Sequence, residues 1–250
     1  MKPKVIGLNT LFLVPNQVGG TEYHTRGLIE ALQKQDKQNR YILFCNQENY
    51  DTFTLSNPNW HKIKCPIPGK SRMFRILYEQ LILPLQIKKT GCDVLHSLGY
   101  FGPINLPANC KHLVTVHDAN WKDHPEDTSV VANLTLKFLI EASLKEADQI
   151  LTVSDFAKQR ISHHFSQIKD KIKVISNAVS PKFIELAQEQ LPRPVQDKYL
   201  LTVSAFYPHK KITYLLKLWP LIKQQHPGLK LVLIGHTGQD EVKVKKIALA

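Results

Sequence analysis

The chain has 250 residues, 43% of them hydrophobic, which is ample for a real core and leaves room for one to two domains of ordinary size. Lysines and arginines number 33 against 21 aspartates and glutamates, a formal charge of +12 that favours an anionic partner: lipid, phosphorylated small molecule or nucleic acid. No run approaches the roughly 18 to 20 apolar residues of a membrane span, and MKPKVIGLNT turns polar too early for a signal peptide. Cys45, Cys65, Cys92 and Cys110 lack CxxC spacing, which points to buried reduced thiols in a cytoplasmic protein and away from a metal site or disulfide framework.

In chain order, Lys4 to Asn9 reads as a strand and a loop follows through Gly20. Thr21 to Gln35 then carries Leu28, Ile29, Ala31 and Leu32 at helical spacing. Tyr41–Cys45 and Ile63–Cys65 are short strand candidates. Ser71 to Lys89 is a long amphipathic helix in which Pro84 predicts a kink or a break. Two further strands, Asp93–His96 and Leu113–His117, each end at a histidine. Ser129–Ala147 reads as a helix and Gln149–Val153 as a strand; Ser154 and Asp155 then supply an N-cap for a helix to about Phe165, and Lys173–Ile175 is the next strand.

This alternation implies right-handed crossovers and a mostly parallel, Rossmann-like sheet covered by helices on both faces. Ser180 to Lys198, with Pro181, Pro192 and Pro194 among polar residues, reads as a linker. Beyond it YLLTVS is a strand, Ile212–Gln225 a helix, LKLVLIG a strand, and a further helix begins. The expected organisation is an N-terminal domain over 1–180, a linker over 181–198 and an incomplete second α/β domain over 199–250.

Open parallel sheets bind ligands beyond the carboxyl ends of their strands, and three segments fall there. Gly19-Gly20-Thr21-Glu22 is a glycine pair before a helix, where bare amides and the positive helix end suit a phosphate, or where Thr21 simply caps a flexible turn. GxGxxG is absent, which disfavours a nicotinamide enzyme. Thr115-Val116-His117-Asp118 delivers an imidazole and a carboxylate to the sheet edge, followed by Trp121 and His124-Pro125-Glu126. His117, neutral or charged, could donate to a sugar hydroxyl or a phosphate, or cap the strand. Ser204–Lys211, SAFYPHKK, sets Lys210 and Lys211 beside a helix N-terminus, a position unfavourable to the helix unless an anion neutralises them; a solvated lysine pair is the alternative.

A basic amphipathic stretch, Lys62, Lys64, Lys70, Arg72 and Arg75 around Met73, Phe74, Ile76 and Leu77, suits peripheral contact with the inner face of an anionic membrane. A core-facing helix with a solvated basic side fits the same pattern. No RNP-like aromatic motif, zinc spacing or compact helix-turn-helix supports nucleic-acid binding.

Together these segments resemble the retaining glycosyltransferases of family 4, or group 1, of the two-domain GT-B type. The resemblance lies in order and spacing and covers essentially the whole chain: GGTEYHTRGLIEAL, TVHDANWKDHPE, ADQILTVSDFAKQRI, KVISNAVSPKF with Asn177, LLTVSAFYPHKKITYLL and LKLVLIG. It implies transfer of a hexose, with retention, from a UDP- or GDP-sugar to a glycan or lipid-linked acceptor, and polysaccharide biosynthesis as the setting. By resemblance Gly19 and Gly20 approach the donor diphosphate, His117 with Asp118 contacts the transferred sugar, and Lys210 neutralises the departing diphosphate, so that no metal and no cofactor is demanded.

Two departures accompany it. Ala205 stands where the family commonly has an arginine or asparagine, and the family's paired glutamates would fall beyond Ala250. The expectation is therefore a chain truncated in its C-terminal domain, with a missing C-terminal half as a potential partner. The alternative function is a catalytically inactive fragment, or a binding partner from a split gene. Sugar-nucleotide epimerases share the two-domain architecture but fit the His-Asp and interdomain segments less well.

Overall fold

The computed structural model describes residues 2–124, 130–189 and 197–249. The chain divides into two compact units, one of Met1–Lys122 with Val131–Ser180 and one of Asp123–Val130 with Pro181–Ala250. No helix among the described residues is long and apolar enough to cross a membrane.

In the first unit the elements run β1 (Val5–Asn9), α1 (Gly20–Gln35), β2 (Arg40–Cys45), β3 (Trp60–Lys64), α2 (Arg72–Leu81), α3 (Leu83–Thr90), β4 (Val94–Ser97), β5 (Lys111–Thr115), α4 (Asn120–Asp123), α5 (Val130–Glu146), β6 (Gln149–Thr152), α6 (Asp155–His164) and β7 (Ile172–Val174). The seven strands are all parallel, in the order β3-β2-β1-β4-β5-β6-β7. Parallel strands need crossover helices, which cover the sheet and make its central strands apolar throughout. Leu8, Leu43, Leu95, Val114 and Ile150 are accordingly sealed from solvent. The strand order reverses between β1 and β4, so a crevice opens at their carboxyl ends.

Local chemistry explains several boundaries. Pro84 at the second position of α3 lacks an amide to donate, and the helical run divides at Ile82 into α2 and α3. Ser154 caps α6, its Oγ accepting from the Ala157 amide at 3.1 Å. All four cysteines are buried free thiols. Gly102 has no room for a side chain: a Cβ there would lie 2.0 Å from Ser97 Oγ and 2.8 Å from His112 Nε2.

Some boundaries differ from those read in the sequence. β4 and β5 do not end at histidines: His96 lies inside β4, and His117 lies two residues past the end of β5. β3 begins at Trp60; as an edge strand it buries Trp60 and exposes His61, and so lacks a continuous apolar run. Helix α1 starts at Gly20, within the expected loop. The expected linker opens with a helix, α7 (Pro181–Gln188). Proline suits the first helical position, where its missing N–H costs nothing, so Pro181 marks a start. Pro192 and Pro194 lie outside the described residues, as do Pro125, Glu126 and Ser129.

Beyond α7, the second unit comprises β8 (Tyr199–Val203), α8 (Ile212–Gln225), β9 (Lys230–Ile234) and α9 (Glu241–Ala248). β8 and β9 pair in parallel. Ile212, Leu216 and Val244 form its small core, with Phe206, Leu231, Leu233 and Ile247 packed on it. Gly235 and Gly238 let the loop after β9 press on the loop after β8; Cβ atoms there would meet Ser204 O at 1.7 Å and Phe206 O at 2.4 Å.

Candidate functional site

The crevice of the first unit is built from loops leaving β1, β4 and β5. After β1 the chain turns through Asn16 (φ +63°) and reaches Gly19 (φ +59°), the N-cap of α1. The left-handed φ at Gly19 is readily available to glycine alone, and no side chain there caps the helix. The amides of Gly20 and Thr21 make no hydrogen bond among the described residues. A Cβ on Gly19 or Gly20 would meet nothing within 4 Å, so this end of the helix is open to a ligand. Glu22, in the first turn, is tied down: its Oε2 accepts from the Asn16 amide at 2.7 Å, and its Oε1 pairs with Arg26 at 2.9 Å. The free amides and the positive helix end therefore remain available to an anion.

One turn along α1, His24 meets the histidine delivered by β5. The rings of His24 and His117 stand edge to face, with centroids 4.9 Å apart. His24 Nδ1 lies 3.0 Å from Asn177 Oδ1, and His117 Nε2 lies 3.3 Å from the Leu98 carbonyl. A carbonyl only accepts, so His117 carries its proton on Nε2 and a neutral ring leaves Nδ1 as an acceptor. Burial, reinforced by His24, pushes His117 down to about 4, which makes it neutral at pH 7. The expectation of a neutral or charged donor thus narrows to a neutral ring whose acceptor nitrogen has no hydrogen-bond partner among the described residues. His24 is also lowered by burial, against a smaller upward pull from Asn177.

Asp118 is held at both oxygens. Oδ2 accepts from the Tyr100 hydroxyl at 2.9 Å and Oδ1 from the Asn120 amide at 3.0 Å. Tyr100 itself sits at φ +71°, its amide bonded to the Thr115 carbonyl at 3.1 Å and its ring 5.6 Å from that of His117. Burial and the Asp118 charge raise its hydroxyl well above the ordinary tyrosine value, so the phenol remains a donor. Beneath this layer His96 Nε2 lies 2.7 Å from Thr115 Oγ1, and burial drives His96 down to about 3. Glu79, on α2, is fully buried; its Oε1 accepts from Asn9 Nδ2 at 3.0 Å at the end of β1. Burial raises Glu79 while Arg75 opposes the shift.

The first unit thus brings the start of α1, with Gly20 and His24, beside His117 and Asp118. Lys210 belongs to the second unit. It closes a 3-10 turn (Pro208–Lys210) with its amide 2.9 Å from the Tyr207 carbonyl, just before α8. Lys211 adopts φ +55° as the N-cap residue of α8. In the basic amphipathic stretch three cations turn elsewhere. Lys62 Nζ donates to the Tyr50 and Phe53 carbonyls at 2.8 Å each, Lys64 lies over the Tyr50 ring and 4.0 Å from Asp51, and Arg75 reaches inward to the Phe12 carbonyl at 3.5 Å.

Sequence reasoning did not single out His24, Tyr100 or His96. His24 lies four residues after Gly20, one helical turn on, which was a usable signal. Tyr100 and His96 carried none, since their partners lie on other strands.

The Glycosyltransferase Family 4 profile matches residues 18–183, and that of the Glycosyl transferases group 1 matches residues 183–250. The chain is 28% identical over 130 residues to the O-antigen chain mannosyltransferase RfbU of Salmonella typhimurium, covering 52% of this chain and 32% of that protein. It is 26% identical over 245 residues to the uncharacterized glycosyltransferase MJ1607 of Methanocaldococcus jannaschii, covering 88% and 60%. The chain therefore spans about a third to three fifths of these relatives.

Among solved structures, the apo form of the lipopolysaccharide outer core galactosyltransferase WaaB aligns with a TM-score of 0.51 at 15% identity, over 100% of this chain and 64% of that one. The UDP-GlcNAc 2-epimerase of Methanocaldococcus jannaschii aligns at 0.52 and 12%, over 100% and 69%. These likenesses carry the fold, which is of the GT-B type. With 166 of its 250 residues inside the first match (183 − 18 + 1), the chain belongs to glycosyltransferase family 4.

Proposed function

We propose that this chain supplies the acceptor-side domain and part of the donor-side domain of a retaining hexosyltransferase. Its donor is a UDP- or GDP-hexose and its acceptor a glycan or lipid-linked precursor, handled in the cytoplasm or at the inner membrane face. The observation that carries the reading is the open N-terminus of α1, with unbonded Gly20 and Thr21 amides, on the same helix as His24 and hence beside the neutral His117.

In this reading the amides and the helix dipole receive the donor diphosphate. His117 Nδ1 accepts a hydroxyl of the transferred sugar, and Asp118, fixed by Tyr100 and Asn120, orients the segment that carries it. As the C1–O bond to the diphosphate breaks, negative charge grows on the departing oxygen and Lys210 neutralises it. The acceptor oxygen bonds to C1 and its proton passes to the diphosphate. Fixed amides and a lysine placed where charge develops perform this task without a metal.

The test is calorimetric titration with UDP- and GDP-hexoses, followed by NMR of the anomeric centre in any product. Binding of one nucleotide class and an unchanged anomeric configuration are expected. Absence of binding to either class refutes the reading in favour of a non-catalytic fragment, and an inverted product refutes retention.

A further inference from the structure

We infer that a cavity at the amino end of β5, the opposite pole of the sheet from the crevice, is an effector site for a small hydroxylated amine of the amino-sugar class. The cavity has a volume of roughly 260 Å³ and lies between the loop 104–108, the start of β5 and the last turn of α5. That is room for one sugar ring and too little for a nucleotide sugar.

The charges of its wall reduce to a single free one. Asp148 is engaged at both oxygens: Oδ1 takes Lys111 Nζ and Oδ2 takes the His112 amide, at 2.8 Å each. Lys171 Nζ donates to the Lys145 and Ala147 carbonyls, which answers the negative backbone end of α5. Glu146, the last residue of that helix, lines the cavity and has no hydrogen bond or ion pair among the described residues. With Lys111 and Asp148 cancelling, the lining carries one net negative charge and suits a monocation.

A surface carboxylate is ordinary by itself, but the imidazole beside it is not. His112 lines the cavity although it is only 3% exposed, and its ring is bonded through Nε2 alone, 3.0 Å from Ser97 Oγ. Burial holds His112 near 4, against a smaller upward pull from Asp148, so the ring is neutral at pH 7. Its Nδ1 has no partner among the described residues and is not sealed from the cavity, which leaves it to a ligand hydroxyl. Asn105, exposed at the rim and likewise unbonded through its side chain, offers a donor and an acceptor. An ammonium for Glu146 and hydroxyls for His112 and Asn105 define a hydroxylated amine, and Ile104 and Pro107 give its ring an apolar wall.

The same imidazole connects the cavity to the crevice. Ser97, which His112 holds, precedes Leu98, whose carbonyl receives His117 Nε2 at 3.3 Å. Gly102 presses on Ser97 Oγ and His112 Nε2 so closely that no Cβ fits, and its amide donates to Ser143 Oγ at 3.1 Å. In so tight a packing, a ligand that draws on His112 shifts Ser97 and Leu98 and with them the ring of His117.

The experiment is NMR of the histidine rings in the full chain at pH 7, titrated with glucosamine and, separately, with glucose and putrescine, which lack the amine and the hydroxyls respectively. Glucosamine should shift His112 and His117 along one saturable curve, with the other two probes at least about tenfold weaker. Glu146→Gln and Asn105→Ala, both changes to exposed residues, should each weaken glucosamine roughly tenfold while thermal unfolding is unchanged. Without glucosamine, Glu146→Gln should bind nucleotide sugar as the wild type does.

A His112 ring that ignores glucosamine overturns the inference, as does equal binding of glucose or of putrescine. A His117 that stays put while His112 responds overturns the effector role. So does a His117 response that survives Glu146→Gln in full, since it places the ligand in the crevice. None of these outcomes touches nucleotide-sugar binding, so the transferase reading stands or falls separately.

Discussion

Three buried histidines make this protein sensitive to mild acid. Burial holds His96 near 3 and holds His112 and His117 near 4, against an ordinary 6.5 in the unfolded chain. The sign follows from proton uptake. Between pH 6.5 and the folded values the unfolded state binds protons that the folded state refuses, so stability is fully present above about 6.5 and falls as the pH drops, levelling below about 3 to 4. From pH 7 to pH 5 each such histidine costs about 2 kcal/mol, and the three together about 6 kcal/mol, comparable to the whole stability of many domains.

His96→Gln tests one share of this, because glutamine still reaches Thr115 but does not titrate. Urea unfolding followed by the fluorescence of Trp60 and Trp121 gives the free energy at each pH. The variant is expected to lose about 2 kcal/mol less than the wild type between pH 7 and 5. Equal losses refute the reasoning, as does a His96 ring that titrates near 6.5 by NMR.

Gly20→Ala should fold with stability within about 1 kcal/mol of the wild type, since its Cβ meets open space, yet weaken nucleotide-sugar binding by crowding the amide; unchanged affinity would remove Gly20 from the donor site. Gly19→Ala, by contrast, should cost about 1 to 2 kcal/mol in unfolding experiments from its φ of +59° alone. Gly102→Ala should cost on the order of 1 to 3 kcal/mol or more, read by chemical denaturation, because its Cβ would displace the Ser97–His112 pair.

Much of the fold is legible in the chain. Parallel strands buried on both faces leave short apolar runs such as Tyr41–Cys45, and the break beside Pro84 and the cap at Ser154 act through neighbours in sequence. β3 reads short because an edge strand alternates. Pro181 reads as linker until its position at the head of a helix is known.

The site divides in the same way. Gly19, Gly20, His117 and Asp118 sit at element ends, which a pattern of strands and helices locates. The partners that set their chemistry do not: Asn177 meets His24 across 153 residues, and Tyr100 reaches Asp118 from the loop after β4. That His117 is a neutral acceptor follows only from burial, His24 and the Leu98 carbonyl together. No local sequence encodes that combination.

The most direct test of the central claim is an NMR titration of the chain, labelled at histidine rings and glycine amides, with UDP- and GDP-hexoses. Shifts confined to His24, His117, Gly19, Gly20 and the two glycines that press on the loop after β8, Gly235 and Gly238, are predicted for one nucleotide class, with Gly7 and Gly91 unmoved. A titration that leaves His117 and Gly20 in place while either nucleotide sugar binds elsewhere would contradict the account.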